Sequence, residues 1–353
     1  MKYRYKPKTK EEFIKAIKKE IYEVQGKKDS PNWNANLNCI DTSLITDMSY
    51  LFSEKYGFEK FDGDISNWNV SNVKDMSRMF YKSKFNQDIS EWDVSNVENM
   101  IAMFYDSQFN QDISNWNVSN VKNMSYMFSN SQFNQDISNW DVSNVTDMSF
   151  MFEESQFNGD ISNWDVSNVK YMNGMFLDSD FNQDISNWNV SNVQNMRWMF
   201  EGSNFNKDIS NWNISNVINM ESMFLDSDFN QDIGSWPLKK ITGLKNISVS
   251  PEYNRLPDKI IYPETIANIF IRSINNPDNT FNIDNFKQIL KDYLNNRKEI
   301  YKSKGYKPDI VNKLILNDIA DILKHFKDKE IQDKFMEIMA EKNSKEPNID
   351  IVS

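Results

Sequence analysis

The chain has 353 residues, with 51 acidic and 40 basic residues, a formal net charge of −11, one histidine and one cysteine. A single cysteine excludes an intramolecular disulfide framework, and no stretch reaches the roughly 18 apolar residues that a membrane span needs. Residues 61–228 hold 24 acidic and 8 basic residues, a net charge of −16 that disfavours binding to nucleic acid.

The first 36 residues are predicted to form an N-terminal helical cap. Residues 1–8 are basic but no apolar run of signal-peptide length follows them, so we expect no export signal in the chain as written. Thr9 and Glu12 form a capping-box pattern. An apolar helical face follows, which would cover the exposed end of a stack of repeats: Phe13, Ile14, Ile17, Ile21 and Val24.

A degenerate first coil comes next. Ile40 stands where later units carry tryptophan, and the step from Ile40 to Trp68 is 28 residues instead of 24. The four additional residues lie within 53–60, so we expect a small loop there. Cys39 lies in the same coil and is either a small half-buried residue or a free thiol used for dimerisation.

From Phe61 to Leu238 a 24-residue unit recurs with little change. A fixed period of this length is typical of a solenoid, in which each unit buries its apolar face against its neighbours. We therefore predict a repeat solenoid over 37–238, with seven full units over 61–228 and a partial last unit. Its predicted core ladder is the tryptophan column Trp68, Trp92, Trp116, Trp140, Trp164, Trp188, Trp212 and Trp236.

Two segments of the unit carry its predicted secondary structure. In Asp-Ile-Ser-Asn-Trp-Asp-Val-Ser, Ile and Val alternate with polar residues, which predicts a short parallel strand. In 123–128, apolar residues at i, i+3 and i+4 follow an asparagine, which predicts one or two helical turns. The predicted fold class is thus an α/β solenoid, with corners turned by asparagine, aspartate and serine because glycine is scarce.

The unit F-N-x-D-I-S-x-W-D/N-V-S-N-V-x-N/D-M-x-x-M-F closely resembles the repeat of the BspA-like leucine-rich-repeat surface proteins. These are bacterial proteins whose repeat is of the mycoplasma lipoprotein-associated type. The resemblance covers roughly residues 37–238 and leaves the last third of the chain outside. It implies a leucine-rich-repeat-like solenoid, display at the cell surface, and adhesion to proteins of a host or of neighbouring cells.

The repeat fades at Pro237, because proline cannot donate to a central ladder. Residues 239–262 are predicted as a terminal cap or linker, and residues 263–353 as a helical C-terminal domain. Apolar spacing there predicts a small bundle of four amphipathic helices, which begin near Pro263, Asp284, Asp309 and Asp328.

One acidic column runs through the repeats and places like charges about 5 Å apart along the stack. Such a column is tolerable if its carboxylates are solvated, cap nearby amides, or bind divalent cations weakly. We expect solvated or capping carboxylates, with cation binding as the alternative, at Asp64, Asp88, Asp112, Asp136, Asp160, Asp184, Asp208 and Asp232.

The sequence favours a non-enzymatic protein without a cofactor. His325, the one histidine, is accompanied by neither a glycine-rich phosphate loop nor a cluster of metal ligands. Carboxylate pairs occur throughout an acidic repeat and so identify no catalytic site. We expect His325 to be a solvated histidine near the end of a helix.

A candidate partner-binding stripe lies where the repeat allows variation. The position two residues after the first methionine of each unit should face outward, yet it carries large aromatic residues. Neighbouring columns add Ile101, Leu177 and Leu225 to the same flank. The stripe is either a protein-binding surface, a drifting surface, or a flank covered by the C-terminal helices; its candidate residues are Arg78, Tyr126, Phe150, Tyr171 and Trp198.

Three functions follow as expectations. The first is a protein-binding scaffold of the bacterial surface or adhesion type, with a partner of unknown identity. The second is an intracellular regulatory or effector protein in which the solenoid recognises a partner and the C-terminal helices act. The third is a structural array that associates with its own copies.

Overall fold

The computed structural model describes residues 3–229, 231, 233, 236, 287, 290–291, 293–295, 297–298, 301–302, 305–326 and 329–341. Helix α1 spans Lys10–Lys19 and continues into a π-helix, Glu20–Val24. Two further helices follow the repeats: α2 spans Pro308–Lys324 and α3 spans Lys329–Glu341. The described repeats consist of turns and isolated parallel bridges.

Helix α1 covers the first coils of the stack. The Thr9 hydroxyl accepts a hydrogen bond from the Glu12 amide at 3.2 Å, which satisfies one free amide of the first turn. Phe13 is fully buried, and its ring centroid lies 5.0 Å from that of Trp68. Val24, which the apolar pattern placed on the buried face, is 45% exposed. Val24 is the last residue of the π-helical segment, whose wider turn points its side chains in other directions than an α-helix would.

Successive units stack in register, one coil above the next. The amides of Met76, Arg78 and Phe80 donate to carbonyls of the following unit at 2.9, 2.8 and 2.9 Å. The same pattern recurs from unit to unit, so the backbone groups of one coil are satisfied by the next. A single parallel bridge marks each junction: Asp47–Asp75, Asp75–Asn99, Asn99–Asn123, Asn123–Asp147, Asp147–Tyr171, Tyr171–Asn195 and Asn195–Asn219.

The described backbone of the unit differs from the predicted placement of strand and helical turn. The bonds between coils run through the methionine-rich segment, as in 76–82, which was predicted as helical. That segment instead forms consecutive turns, closed by Met79 N–H to Met76 O at 3.1 Å and Tyr81 N–H to Arg78 O at 3.2 Å. The segment predicted as a strand contains a turn closed by Trp68 N–H to Ile65 O. An apolar spacing of three suits such a turn as well as a helix, so periodicity alone could not separate them.

The interior of the stack is apolar and aromatic. Each tryptophan of the predicted core ladder is at least 95% buried. The indole N–H donates to the carbonyl of an isoleucine in the preceding unit, as in Trp164 to Ile137 at 3.1 Å, except that Trp68 donates to the Leu37 carbonyl at 3.0 Å. Phenylalanine rings stack both within and between units: the Phe128 centroid lies 4.1 Å from that of Phe133 and 5.8 Å from that of Phe152. Because each ring meets rings of its own kind, a unit on its own would leave this core exposed.

Polar columns hold the corners of the coils. The Asn144 amide group donates to the Ser119 carbonyl of the preceding unit at 2.7 Å, and equivalent asparagines repeat this bond. In a second column, the Asn110 side-chain carbonyl accepts from the Asn134 amide at 3.0 Å. Asparagine thus supplies between coils the hydrogen bonds that the backbone of the corners lacks.

The four additional residues of the first coil form a small loop. Turns closed by Tyr56 N–H to Ser53 O and by Gly57 N–H to Glu54 O occupy the predicted position within 53–60. Gly57 has φ of 74°, which glycine adopts without cost. Phe58 is 1% exposed and returns the chain to the core.

The described part of the C-terminal region is helical. Helix α2 begins at Pro308, next to the predicted start at Asp309, and buries Val311, Ile315, Ile319 and Ile322. The Arg297 guanidinium lies 3.0 Å from the Asp318 carboxylate in a half-buried ion pair. The predicted cap or linker at 239–262 and the helix predicted from Pro263 lie outside the described residues.

Candidate functional site

The residues that could support chemistry are scattered. Among the described residues there is no group of three or more His, Cys, Asp or Glu side chains that could hold a metal ion. His325 is exposed and caps the end of α2. Cys39 is half-buried, and burial raises the pKa of its thiol. The Glu20 carboxylate and the Arg4 guanidinium, which form an ion pair with each other, lie beside the Cys39 thiol.

The aspartate column caps turns. In each described unit the carboxylate accepts a hydrogen bond from the amide of the serine two residues later, as in Ser138 N–H to Asp136 at 2.9 Å. These amide bonds help to hold the pKa values of six column members below their usual range: Asp64, Asp88, Asp112, Asp136, Asp160 and Asp184. The column therefore has a structural use, and cation binding along it stays a prediction.

Aromatic side chains form a continuous line on one flank of the stack, here called the aromatic string: Tyr81, Tyr105, Tyr126, Phe150 and Trp198. Its neighbouring ring centroids lie 4.8, 6.4, 4.7 and 6.3 Å apart in that order. All five side chains are half-buried. One edge of each ring is thus held by packing while another part faces solvent.

Three residues of the string, and Arg78 in the same column, have a left-handed backbone. Arg78, Tyr126, Phe150 and Trp198 have φ values of 55°, 59°, 57° and 60°. Each lies at the third position of a four-residue turn, where a positive φ is the signature of type II geometry. Large side chains seldom adopt this conformation, which costs about 1–2 kcal/mol per residue. The turn aims the side chains outward and fixes their direction.

Gly174 occupies the same column between Phe150 and Trp198. A Cβ atom at this position would lie 2.2 Å from Cε1 of Phe150. The Phe150 ring therefore fills the space that a side chain at 174 would need, and it reaches the Trp198 ring across the intervening unit. Glycine at 174 keeps the string continuous.

Carboxylates flank the string and are called the acidic row: Glu153, Asp178, Glu201 and Asp226. Burial raises the pKa of Glu153, Asp178 and Glu201, and neighbouring carboxylates raise each of them further. The Glu153 carboxylate also accepts from the Ser129 hydroxyl at 2.9 Å. Within the described chain, the buried Oε2 atom of Glu201 has no hydrogen-bond partner.

Cations of the chain lie on rings of this flank. The Arg197 guanidinium is 3.7 Å from the Trp198 ring centroid, Arg78 is 5.4 Å from the Tyr50 ring and Lys82 Nζ is 5.8 Å from the Tyr81 ring. All three distances are within the range of a cation–π contact. Arg197 is also 3.1 Å from a carboxylate oxygen of Glu221.

The structure separates the predicted stripe into parts. It brings Tyr126, Phe150 and Trp198 into one string, and it places Arg78 in the same column against Tyr50. Tyr171 is 42% exposed and belongs to the column of parallel bridges, and no ring contact joins it to the string within the described residues.

Sequence reasoning missed Tyr81 and Tyr105, which extend the string by two units. Their signal was available, because two tyrosines in successive units occupy the position directly after the second phenylalanine column. It also missed the acidic row, whose members alternate between two neighbouring columns and so form no column of their own.

A scan against family profiles matches a family described as "Mycoplasma protein of unknown function, DUF285" over residues 20–132, 107–202 and 155–253. These overlapping matches cover about two thirds of the chain. The chain belongs to this family. It is a repeat protein of that family, whose function is unknown. Neither a search of curated proteins nor a search of solved structures found a match for this DUF285 member. In the described part of the chain, every helix is too short or too polar to cross a bilayer.

Proposed function

We propose that this DUF285 member is a non-enzymatic protein-binding scaffold of the BspA-like surface type. Its stacked coils form a leucine-rich-repeat-like solenoid that presents the aromatic string to a partner protein. The observation that carries the proposal is the string itself: five half-buried rings in an unbroken line on a rigid backbone.

Packing favours binding by this flank. Large aromatic residues dominate the energies of protein interfaces when they are held in place before the partner arrives. Here the Tyr126 and Phe150 rings are stacked at 4.7 Å with planes 11° apart, and their backbone is bonded to the neighbouring coils. Binding of a partner would therefore cost little conformational entropy of these side chains, because they are already ordered.

The backbone conformation of this flank also supports the proposal. Strained, left-handed residues cost stability and are expected at functional positions. In this chain they recur from unit to unit, and at four of them the sequence carries an aromatic ring: Tyr50, Tyr126, Phe150 and Trp198. Family resemblance adds the expectation of surface display and adhesion.

Binding of the full chain to immobilised host extracellular-matrix proteins tests the proposal. The first variant, called the face variant, removes three rings of the aromatic string through Tyr126→Ser, Phe150→Ser and Trp198→Ser together. The matched control changes three exposed asparagines of another column to serine: Asn115, Asn139 and Asn187. We expect the face variant to lose at least tenfold in affinity and the control to stay within twofold. If the wild type and both variants bind with equal affinity, the aromatic string is not part of the binding site.

Folding of the serine variant is checked separately. If its urea midpoint falls, the variant Tyr126→Leu, Phe150→Leu and Trp198→Leu retains apolar bulk while it removes the flat rings. Loss of binding by a leucine variant with a native midpoint supports the proposal, and unchanged binding by that variant contradicts it.

A further inference from the structure

We infer that the aromatic string and the acidic row together bind a basic, extended segment of a partner protein, whose arginine or lysine side chains stack on the rings of Tyr126 and Phe150. The inference rests on the proposed function and adds the chemistry of the partner.

The chain's own cations indicate what these rings accept. Guanidinium or ammonium groups lie over Trp198, Tyr50 and Tyr81, on both sides of the middle of the string. No cation of a described residue lies over Tyr126 or Phe150. Tyr126 and Phe150 cover the faces that they turn to each other, so a partner's cations would contact the ring surface that this stack leaves open.

The charge of the flank matches such a partner. Residues 133–228 contain 15 acidic residues and three basic ones, which are Lys170, Arg197 and Lys207. Arg197 is paired with Glu221. Glu153, Asp178 and Glu201 form no ion pair with a described residue, so their charges are available to an incoming cation.

The carboxylates are also close enough to act together. Asp178 interacts electrostatically with Glu153, Glu201 and Asp226, and Glu153 interacts with the hydroxyls of Tyr105 and Tyr126. An incoming cation relieves the repulsion within the row. Binding of a basic segment therefore removes a repulsion that destabilises the free protein.

The spacing suits an extended chain that lies along the stack. Coils lie about 4.8 Å apart, so the three steps from Glu153 to Asp226 cover about 14 Å. An extended peptide rises about 3.3 Å per residue, and alternate side chains point to the same side. Four or five residues with a cation at every second position would reach the whole row.

The test uses the full chain and fluorescein-labelled nonapeptides in a fluorescence anisotropy titration at low ionic strength. One peptide alternates arginine with glycine, a second replaces arginine with glutamine, and a third replaces it with glutamate. The charge variant is Glu153→Gln, Asp178→Asn and Glu201→Gln. Its matched control is Asp112→Asn, Asp136→Asn and Asp160→Asn, which changes the net charge equally and leaves an acceptor for each turn, as Asn117 shows at its own position.

We expect the arginine peptide to bind and the other two not to bind. The charge variant should weaken binding about tenfold, because three charge pairs at partly exposed carboxylates are each worth a few tenths of a kcal/mol to 1 kcal/mol. The control should stay within twofold, and added salt should reduce binding by the wild type more than by the charge variant. Equal weakening by both variants would show that only the overall charge matters and would overturn the inference.

Failure of the inference can be told from failure of the proposed function. If the serine face variant loses binding of a protein ligand while the charge variant keeps it, the face binds proteins but the partner's segment is not basic. If neither variant changes binding of a protein ligand, both proposals are wrong. The double variant Tyr126→Leu and Phe150→Leu tests the stacking itself. If it binds the arginine peptide as tightly as the wild type does, cations do not stack on these rings and the inference is contradicted.

Discussion

The substitution Gly174→Ala tests whether the aromatic string is fixed in place. Alanine adds one methyl group at φ of 60°, where Cβ would lie 2.2 Å from Phe150 Cε1. Carbon atoms pack at about 3.5–4.0 Å, so the ring has to move by more than 1 Å. The backbone itself accepts a Cβ here, because Ala102 occupies the equivalent position with φ of 52°.

The expected cost is the sum of three effects. A left-handed alanine costs about 1–2 kcal/mol, and the lower entropy of the unfolded chain returns about 0.4–1 kcal/mol. Moving the Phe150 ring costs about 0.5–1.5 kcal/mol in rotamer energy and a similar amount in stacking on Tyr126. We therefore expect Gly174→Ala to lower the free energy of unfolding by about 2–3 kcal/mol.

A double-mutant cycle with Phe150→Ala separates these effects. Without the ring, the added methyl group has space, and Gly174→Ala should cost less than about 1 kcal/mol. The coupling free energy between positions 150 and 174 should be about 1–2 kcal/mol, well above the 0.3–0.5 kcal/mol seen for independent sites.

Urea denaturation followed by tryptophan fluorescence gives the four free energies of the cycle. Circular dichroism of each variant at zero urea checks that the native fold is retained. Equal costs of Gly174→Ala in the presence and absence of the Phe150 ring would refute the reasoning, because the ring would then not occupy the space above residue 174.

The remaining predictions concern the core, the acidic row, the aspartate column and the location of the protein. Trp164→Phe should destabilise by about 1–3 kcal/mol in urea denaturation, because it removes an indole hydrogen bond and leaves a small cavity; no loss would contradict the burial of that indole. Glu153→Gln should raise the urea midpoint at pH 7, because the raised pKa of Glu153 means that its ionised carboxylate destabilises the fold. Near pH 4 the carboxyl group of the wild type is protonated, so the difference between the two proteins should disappear. A lower midpoint of the variant at pH 7 would contradict this. Asp136→Ala should destabilise above pH 4 by less than about 1 kcal/mol, and the difference from wild type should vanish as the pH falls through the lowered pKa of Asp136; Asp136→Asn is the control. Protease added to intact cells should cleave the protein if it is displayed at the surface, and full protection would exclude adhesion.

The period and the residues of the core could be read from the sequence. A tryptophan at every twenty-fourth position has one physical explanation, which is stacking of equivalent residues, and the burial of Trp164 and its equivalents follows from it. The capping box at Thr9 was equally readable, because serine, threonine and glutamate have defined partners at a helix start.

The conformation of each coil could not be read in the same way. The left-handed column that contains Asp106, Asn130 and Gly202 has a composition typical of positive φ. The column of Tyr126 and Phe150 does not, because aromatic residues disfavour that conformation and packing between coils imposes it. The aromatic string and the acidic row depend on this backbone, so their arrangement appears only in three dimensions.

Photo-crosslinking tests the central claim most directly. A benzophenone amino acid is placed at Phe150 in the full chain, and at exposed Asn139 as the control, in the cells that produce the protein. The account predicts a protein adduct from position 150 and none from position 139. An excess of the arginine peptide should suppress the adduct from position 150. Adducts of equal yield from both positions, or none from position 150 while position 139 reacts, would contradict binding through the aromatic string.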